Sequence, residues 1–315
     1  MVKEGNQKIG IVGAASVGAT IAYACMVRGV GRHISIFDIA KAKVEAEVLD
    51  LNHGLMFAPE ATLDGSDDIA VLAGSDVVAV TAGAKQKPGQ TRLDLAATNT
   101  NICRRLIPEL LRVAPDALLL MVTNPVDVLT RIALQLSGLA CHRVIGSGTV
   151  LDSSRFRFLL AQRCGVAVQN VHAYIAGEHG DSEIPLWSSA SIGNVPLLEW
   201  NRPHILSAAE RDSIFESVRT AADRVIAGKG ATNYAVGLAV SGILQALLWD
   251  EGRVLPVSSL LRDYRGLNDV CLSMPAIVNR SGVDCVLPVP LSDGEHSGLM
   301  ASAAAIGRVV QSLGF

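Results

Sequence analysis

The chain has 315 residues, half of them hydrophobic and 18% charged. That composition excludes a disordered chain and fits a well-packed protein of one large or two medium domains. Its net charge of −3 supplies no basic surplus of the kind that nucleic-acid binding uses. In chain order, KIGIVG (8–13) predicts a short apolar strand ending in glycine, and 16–30 a helix closing near Gly29 and Gly31. HISIFD (33–38) predicts a second strand that ends on a carboxylate, and 40–51 a second helix. A third strand, DVVAVTAG (76–83), precedes a long amphipathic helix over 93–114. ALLLMVTN (117–124), a helix over 126–138 and RVIG (143–146) complete the alternation.

These strands are almost wholly apolar, as a parallel sheet covered on both faces requires. Strand–helix alternation with right-handed crossovers predicts a doubly wound parallel α/β domain over 1–146. The second half, 147–315, mixes helical patterns (150–164, 207–227, 232–249) with strand-like pieces at 171–177 and 285–291. It predicts an α+β substrate domain, with the helix around 232–249 packing back on the first domain.

Six cysteines lie scattered without a CxxC pair, so neither a zinc ribbon nor a redox dithiol is indicated and no metal is expected. A long chain with few cysteines and no signal-peptide layout reads as a reduced, cytoplasmic protein. Residues 230–249 carry no charge and approach membrane-spanning length, but Thr232, Asn233, Tyr234, Ser241 and Gln245 interrupt them. A helix buried in a large core is the expected outcome.

The first strand runs into Gly13-Ala14-Ala15-Ser16-Val17-Gly18 at the opening of a helix. This is the glycine-rich turn of a dinucleotide site, with Ala15 in place of the middle glycine. Such turns also occur without a ligand. Asp38, twenty residues beyond Gly18, can accept hydrogen bonds from an adenine ribose and repel a 2′-phosphate, or can cap the next helix. Together these features favour NAD over NADP.

Catalytic residue types gather in four further patches. His179 sits in Gly177-Glu178-His179-Gly180-Asp181-Ser182, a turn that can present an imidazole to a cleft. Asp152 and Arg155 are three apart on a predicted helix and share a face, as a surface ion pair also would. The segment 83–92 follows the carboxyl end of a strand, where ligands of open α/β sheets bind, and its Gly and Pro content suits a lid. Val122-Thr123-Asn124-Pro125-Val126-Asp127 ends another strand.

TNPVD (123–127), SGTVLDSSRFR (147–157), GEHGDSE (177–183) and KQKPGQTRLDL (85–95) resemble, in order and spacing, the L-lactate/malate dehydrogenase family over essentially the full length. The resemblance implies a Rossmann-type domain with NAD held at Gly13, Ala15, Val17, Gly18, Asp38, Gly83, Asn124 and Val236. It implies that His179 is the acid–base residue and that Asp152 orients it. Arg155 would grip the substrate carboxylate and Arg92 would polarise the keto oxygen. Asn124 would help hold substrate and histidine, and Thr232 would line the pocket. Gln86 stands where malate dehydrogenases of the family carry an arginine, so the chain is similar to the L-lactate branch; malate or another 2-hydroxy acid is the alternative, then a non-catalytic NAD-binding protein. Arg157 and His172 match positions that bind fructose bisphosphate in allosteric bacterial relatives, and the family implies a homotetramer. Nucleic-acid and membrane partners are not expected. Ala15 and Gln90 are the two departures from the family's pattern.

Overall fold

The computed structural model of the chain describes residues 7–84 and 92–315, with Arg92 described by its backbone alone. Its first half alternates as the apolar runs require: β1 (Lys8–Val12), α1 (Ser16–Arg28), β2 (His33–Phe37), α2 (Lys41–His53) and β3 (Thr62–Ser66). Then follow β4 (Val77–Val80), α3 (Arg92–Val113), β5 (Leu118–Met121), α4 (Val126–Ser137) and β6 (Val144–Gly146). These six strands are parallel, in the order β3-β2-β1-β4-β5-β6. The chain winds outward from β1 in one direction and from β4 in the other. A crevice therefore opens beyond the carboxyl ends of β1 and β4, where the strand order reverses.

The second half begins with α5 (Val150–Cys164), β7 (Val171–His172), β8 (Ile175–Ala176), β9 (Ile184–Pro185), β10 (Ser191–Ile192) and β11 (Val195–Pro196). It continues through α6 (Ala208–Arg219), α7 (Ala221–Lys229), α8 (Tyr234–Leu248), β12 (Arg253–Leu261), β13 (Val270–Asn279), β14 (Gly282–Val286) and α9 (Asp293–Ser312). The last three strands are antiparallel and join the parallel sheet through Ser258 opposite Gly146, giving one nine-stranded sheet. Apolar clusters cover both faces of that sheet, and a third cluster around Phe156 and Leu160 packs beneath α5.

Several sequence expectations need correction. The helix predicted over 207–227 is two helices that meet at Thr220. The strand predicted over 171–177 is two short strands, β7 and β8. The strand predicted over 285–291 ends at Val286, because Pro288 and Pro290 have no N–H to donate to a ladder. The uncharged helix α8 is not buried on all sides. Gly237 lets it approach α1 closely, where an added Cβ would lie 2.6 Å from the Thr20 side chain, whereas Tyr234 and Leu238 on its other side are exposed. Arg28 of α1 donates to Ser241 and Gln245 across the same seam. Among the described residues, no helix is long and apolar enough to cross a membrane.

Candidate active site

The glycine turn follows from sterics. Gly13 has φ +106°, and a Cβ there would meet Thr81 Oγ1 at 2.7 Å. A Cβ on Gly18 would lie 1.8 Å from the Gly13 carbonyl oxygen, so only glycine allows α1 to start this close to the turn. Ala15 takes an ordinary extended conformation (φ −77°, ψ 179°) at the N-cap of α1 and gives that helix end no side-chain cap. The first backbone N–H groups of α1 thus point toward the crevice, the arrangement that suits a pyrophosphate. Asp38 buttresses the turn: Oδ2 accepts from the Ala14 N–H at 2.6 Å and Oδ1 from the Ala40 N–H at 2.9 Å. The carboxylate is half-buried at the end of β2, and each oxygen keeps a further lone pair that a ribose hydroxyl could use.

Across the crevice, Gly83 leaves no room for a side chain, since a Cβ would stand 2.2 Å from the Thr123 methyl. Asn99 of α3 joins the strand ends there. Its Oδ1 accepts from the Ala84 N–H at 2.7 Å and its Nδ2 donates to the Asn124 carbonyl at 2.7 Å. Asn124 itself is exposed, and Thr232 is half-buried just before α8. Val17 and Val236 pack against the same apolar cluster under the sheet. Gln86, Gln90 and the rest of 85–91 lie outside the described residues, as does the Arg92 side chain.

His179 is fixed from four elements. The preceding Gly177 forms an antiparallel bridge with Ser273 of β13, at 2.8 and 3.0 Å. The Glu178 N–H donates to Ser302 Oγ of α9 at 2.7 Å. The His179 N–H donates to Asp127 Oδ2, in the first turn of α4, at 2.7 Å. Finally, Nδ1 donates to Asp152 Oδ2 of α5 at 2.6 Å. A carboxylate only accepts, so this bond places the Nδ1 proton and leaves Nε2 to exchange protons with a ligand.

Asp152 and Arg155 are not a surface pair. The Asp152 side chain is 3% exposed, and its Oδ1 accepts from Arg155 Nη1 at 2.7 Å. One buried carboxylate therefore orients an imidazole and a guanidinium at once, and among the described residues the guanidinium's other donors are left for an anion. Burial alone would raise the Asp152 pKa, but the charges of His179 and Arg155 outweigh it and hold the carboxyl below its usual range. The Asp152 charge in turn lifts His179 to about 9, against the opposing pull of burial.

Two carboxyl groups beside this pair escaped the sequence reading. Asp127 is 1% exposed, and burial raises it to about 6. It lies inside the TNPVD motif, so its position was visible while its contact with His179 was not. Glu183 is 7% exposed, and burial followed by the Asp152 charge raises it to about 8. Asn99, Ser273 and Ser302 carried no signal, because each acts through contacts distant in sequence. The expected effector residues lie near each other. Arg157 donates to the Ala173 carbonyl at 2.8 Å and lies over the Tyr174 ring at 4.6 Å, and His172 is exposed on β7 beside them.

Comparison with known proteins agrees with this geometry. Residues 7–146 match the lactate/malate dehydrogenase NAD binding domain, and 149–311 match the alpha/beta C-terminal domain of the same family. The chain is 51% identical to an L-lactate dehydrogenase of Bifidobacterium animalis subsp. lactis, covering 98% of this chain and 97% of that protein. It is 48% identical to one from a Synechococcus strain, over 96% and 98% of the two chains. Among solved structures, it resembles a lactate dehydrogenase enzyme from a Medee basin deep-sea metagenome library. The TM-score is 0.95 at 36% identity, over 98% of this chain and 99% of the other. The minor L-lactate dehydrogenase of Enterococcus mundtii gives 0.94 at 36% identity, covering 98% of each chain. With its glycine turn, its buried Asp152–His179 pair and domain matches that span nearly its whole length, the chain belongs to the lactate/malate dehydrogenase family and takes NAD as its cofactor.

Proposed function

We propose that the chain is an L-lactate dehydrogenase that interconverts L-lactate and pyruvate, with His179 as its acid–base residue. The observation that carries this reading is the buried Asp152 held between His179 and Arg155. The cofactor, when bound, accepts or supplies the hydride at carbon 2 of the substrate. Everything else falls to the chain's own side chains. Arg155 binds the substrate carboxylate and fixes its orientation. His179, protonated on both nitrogens, donates its Nε2 proton to the keto oxygen in reduction and recovers it from the hydroxyl in oxidation. Asp152 favours the charged imidazole and holds the ring in place. Arg92 is assigned to the developing negative charge on the oxygen.

The nucleotide is assigned to the turn from Gly13 to Gly18 with Asp38 on the ribose, and to Gly83, Asn124 and Val236 beside the nicotinamide. Thr232 is assigned to the substrate pocket. In this division residues 1–146 hold most of the nucleotide and 147–315 most of the substrate, with Val236 reaching across to the nucleotide and Gln86, Arg92 and Asn124 to the substrate. Gln86 sets the substrate. It offers no charge to a second carboxylate, so a dicarboxylate would sit partly unpaired in a closed site.

The functional unit is proposed to be a cytoplasmic homotetramer. In support, Tyr23 and Val27 of α1, Leu49 of α2, Met56 and Phe57 just after it, and Leu238 of α8 are all exposed apolar residues, the kind of surface that copies of a chain bury against one another. Arg157 and His172 are assigned to fructose bisphosphate.

A panel of 2-keto acids with NADH, run with and without fructose bisphosphate, tests the substrate. The expected order is pyruvate above oxaloacetate in kcat/KM, and a higher value for oxaloacetate would refute the role given to Gln86. Replacing Gln86→Arg should then move preference toward oxaloacetate by at least about tenfold. An unchanged pyruvate saturation curve would rule out fructose bisphosphate as an effector.

A further inference from the structure

Glu183 has no part in the steps described above, yet it is buried beside the residues that perform them. Its side chain lies just before β9, at the end of the His179 turn. One carboxylate oxygen from each of Asp152 and Glu183 and one ring nitrogen of His179 lie within 4.8 Å of one another. Among the described residues, Glu183 Oε1 has no hydrogen-bond partner. A carboxyl group in that state has lost its water and gained nothing for one oxygen, a costly arrangement unless it serves a neighbour.

We propose that Glu183 is a positioning residue for the acid–base step: its carboxyl group, lodged beside the Asp152–His179 pair, extends to higher pH the range over which His179 keeps its proton. This rests on the assignment of His179 as the acid–base residue. The charged groups around the cluster come from several elements. Asp152 and Arg155 stand on α5, Asp127 on α4, Glu178 in the turn itself, and Arg219 at the end of α6. At neutral pH, burial and the Asp152 charge keep Glu183 protonated. It then adds no negative charge, and His179 can release its proton to substrate. As the pH rises through about 8, Glu183 ionises, and its new charge favours the imidazolium at the moment solvent would otherwise take that proton. The two groups titrate as a pair, so the donor form outlasts a single histidine–aspartate couple.

The test is Glu183→Gln, which keeps the shape and removes the charge. Two readouts are needed: the pH profile of kcat/KM for pyruvate with NADH, and the titration of His179 in the cofactor-bound protein by NMR of labelled histidine. Both the alkaline limb of reduction and the His179 titration should move to lower pH by about half a unit or more. Glu183→Asp, which keeps a carboxylate, should recover most of that shift, and thermal melting checks that each variant is folded. If a folded Glu183→Gln protein lost rate equally at every pH, with the His179 titration unmoved, Glu183 would be merely structural and the proposal would fall. If the titration moved while the rate profile stayed, the proposal would fall together with the assignment of His179.

Discussion

At the scale of single residues, the site turns on Asp152, which has one carboxylate and two cationic partners. Replacing Asp152→Asn removes the charge that raises His179, so the imidazole should titrate nearer its ordinary 6.5. Fewer enzyme molecules would then carry the donor proton at pH 7.5. Pyruvate reduction should fall about tenfold there through this loss of donor, with its alkaline limb displaced toward acid, as steady-state rates across pH would reveal. A profile unchanged in shape would show that Asp152 does not govern the proton. The sequence exposed this part of the site because the information is local. Asp152 and Arg155 are spaced to share a helix face, and His179 is flanked by glycines. Asp127 and Glu183 were hidden for the opposite reason. A carboxylate in a loop or a helix's first turn reads as solvated, and only the approach of α4 and α5 to the His179 turn makes these two buried.

At the scale of elements, α1 and its turn form a unit that tolerates little change. Gly18→Ala would set a methyl group against the Gly13 carbonyl and should cost about 2–3 kcal/mol in urea unfolding, with a raised KM for NADH. Wild-type stability in that variant would mean that α1 can slide outward. The His179 turn depends on α4 in a comparable way. Asp127→Ala leaves the His179 N–H without its acceptor, so stability should drop by about 1–3 kcal/mol and kcat by about tenfold, while nucleotide affinity stays. The first-half elements were legible because each strand is a short apolar run closed by glycine or a polar residue. The long strands β12 and β13 were not. Pro256 and Pro275 interrupt their patterns and argue against central strands, yet the two face each other in register, so both missing N–H groups fall at one rung. Helix α9 went unread although it carries a start signal, the capping box of Ser292 with Glu295.

At the scale of the whole molecule, the buried cluster links stability to pH. His179 binds its proton more tightly when folded, so its contribution is fully present below 6.5 and is lost as the pH rises through about 9. Asp127 and Glu183 act in the same sense. Each is raised by burial, so folding favours its protonated form, and that advantage fades as the pH passes about 6 and about 8. The melting temperature should therefore be lower at pH 9.5 than at pH 6.5, and a flat or rising trend would mean these groups are not buried as described. The exposed apolar residues on α1, α2 and α8 give a second expectation, that size-exclusion chromatography finds an oligomer and that Leu238→Glu weakens it. The proposed transfer of a proton by the Asp152–His179 pair in reducing pyruvate is read from kcat/KM for pyruvate with NADH in the wild type against His179→Ala. The wild type should be active on pyruvate, and the variant should still bind NADH but lose about 10²–10⁴-fold in rate; a loss below tenfold, or a wild type inert toward pyruvate, would rule out that role for the pair.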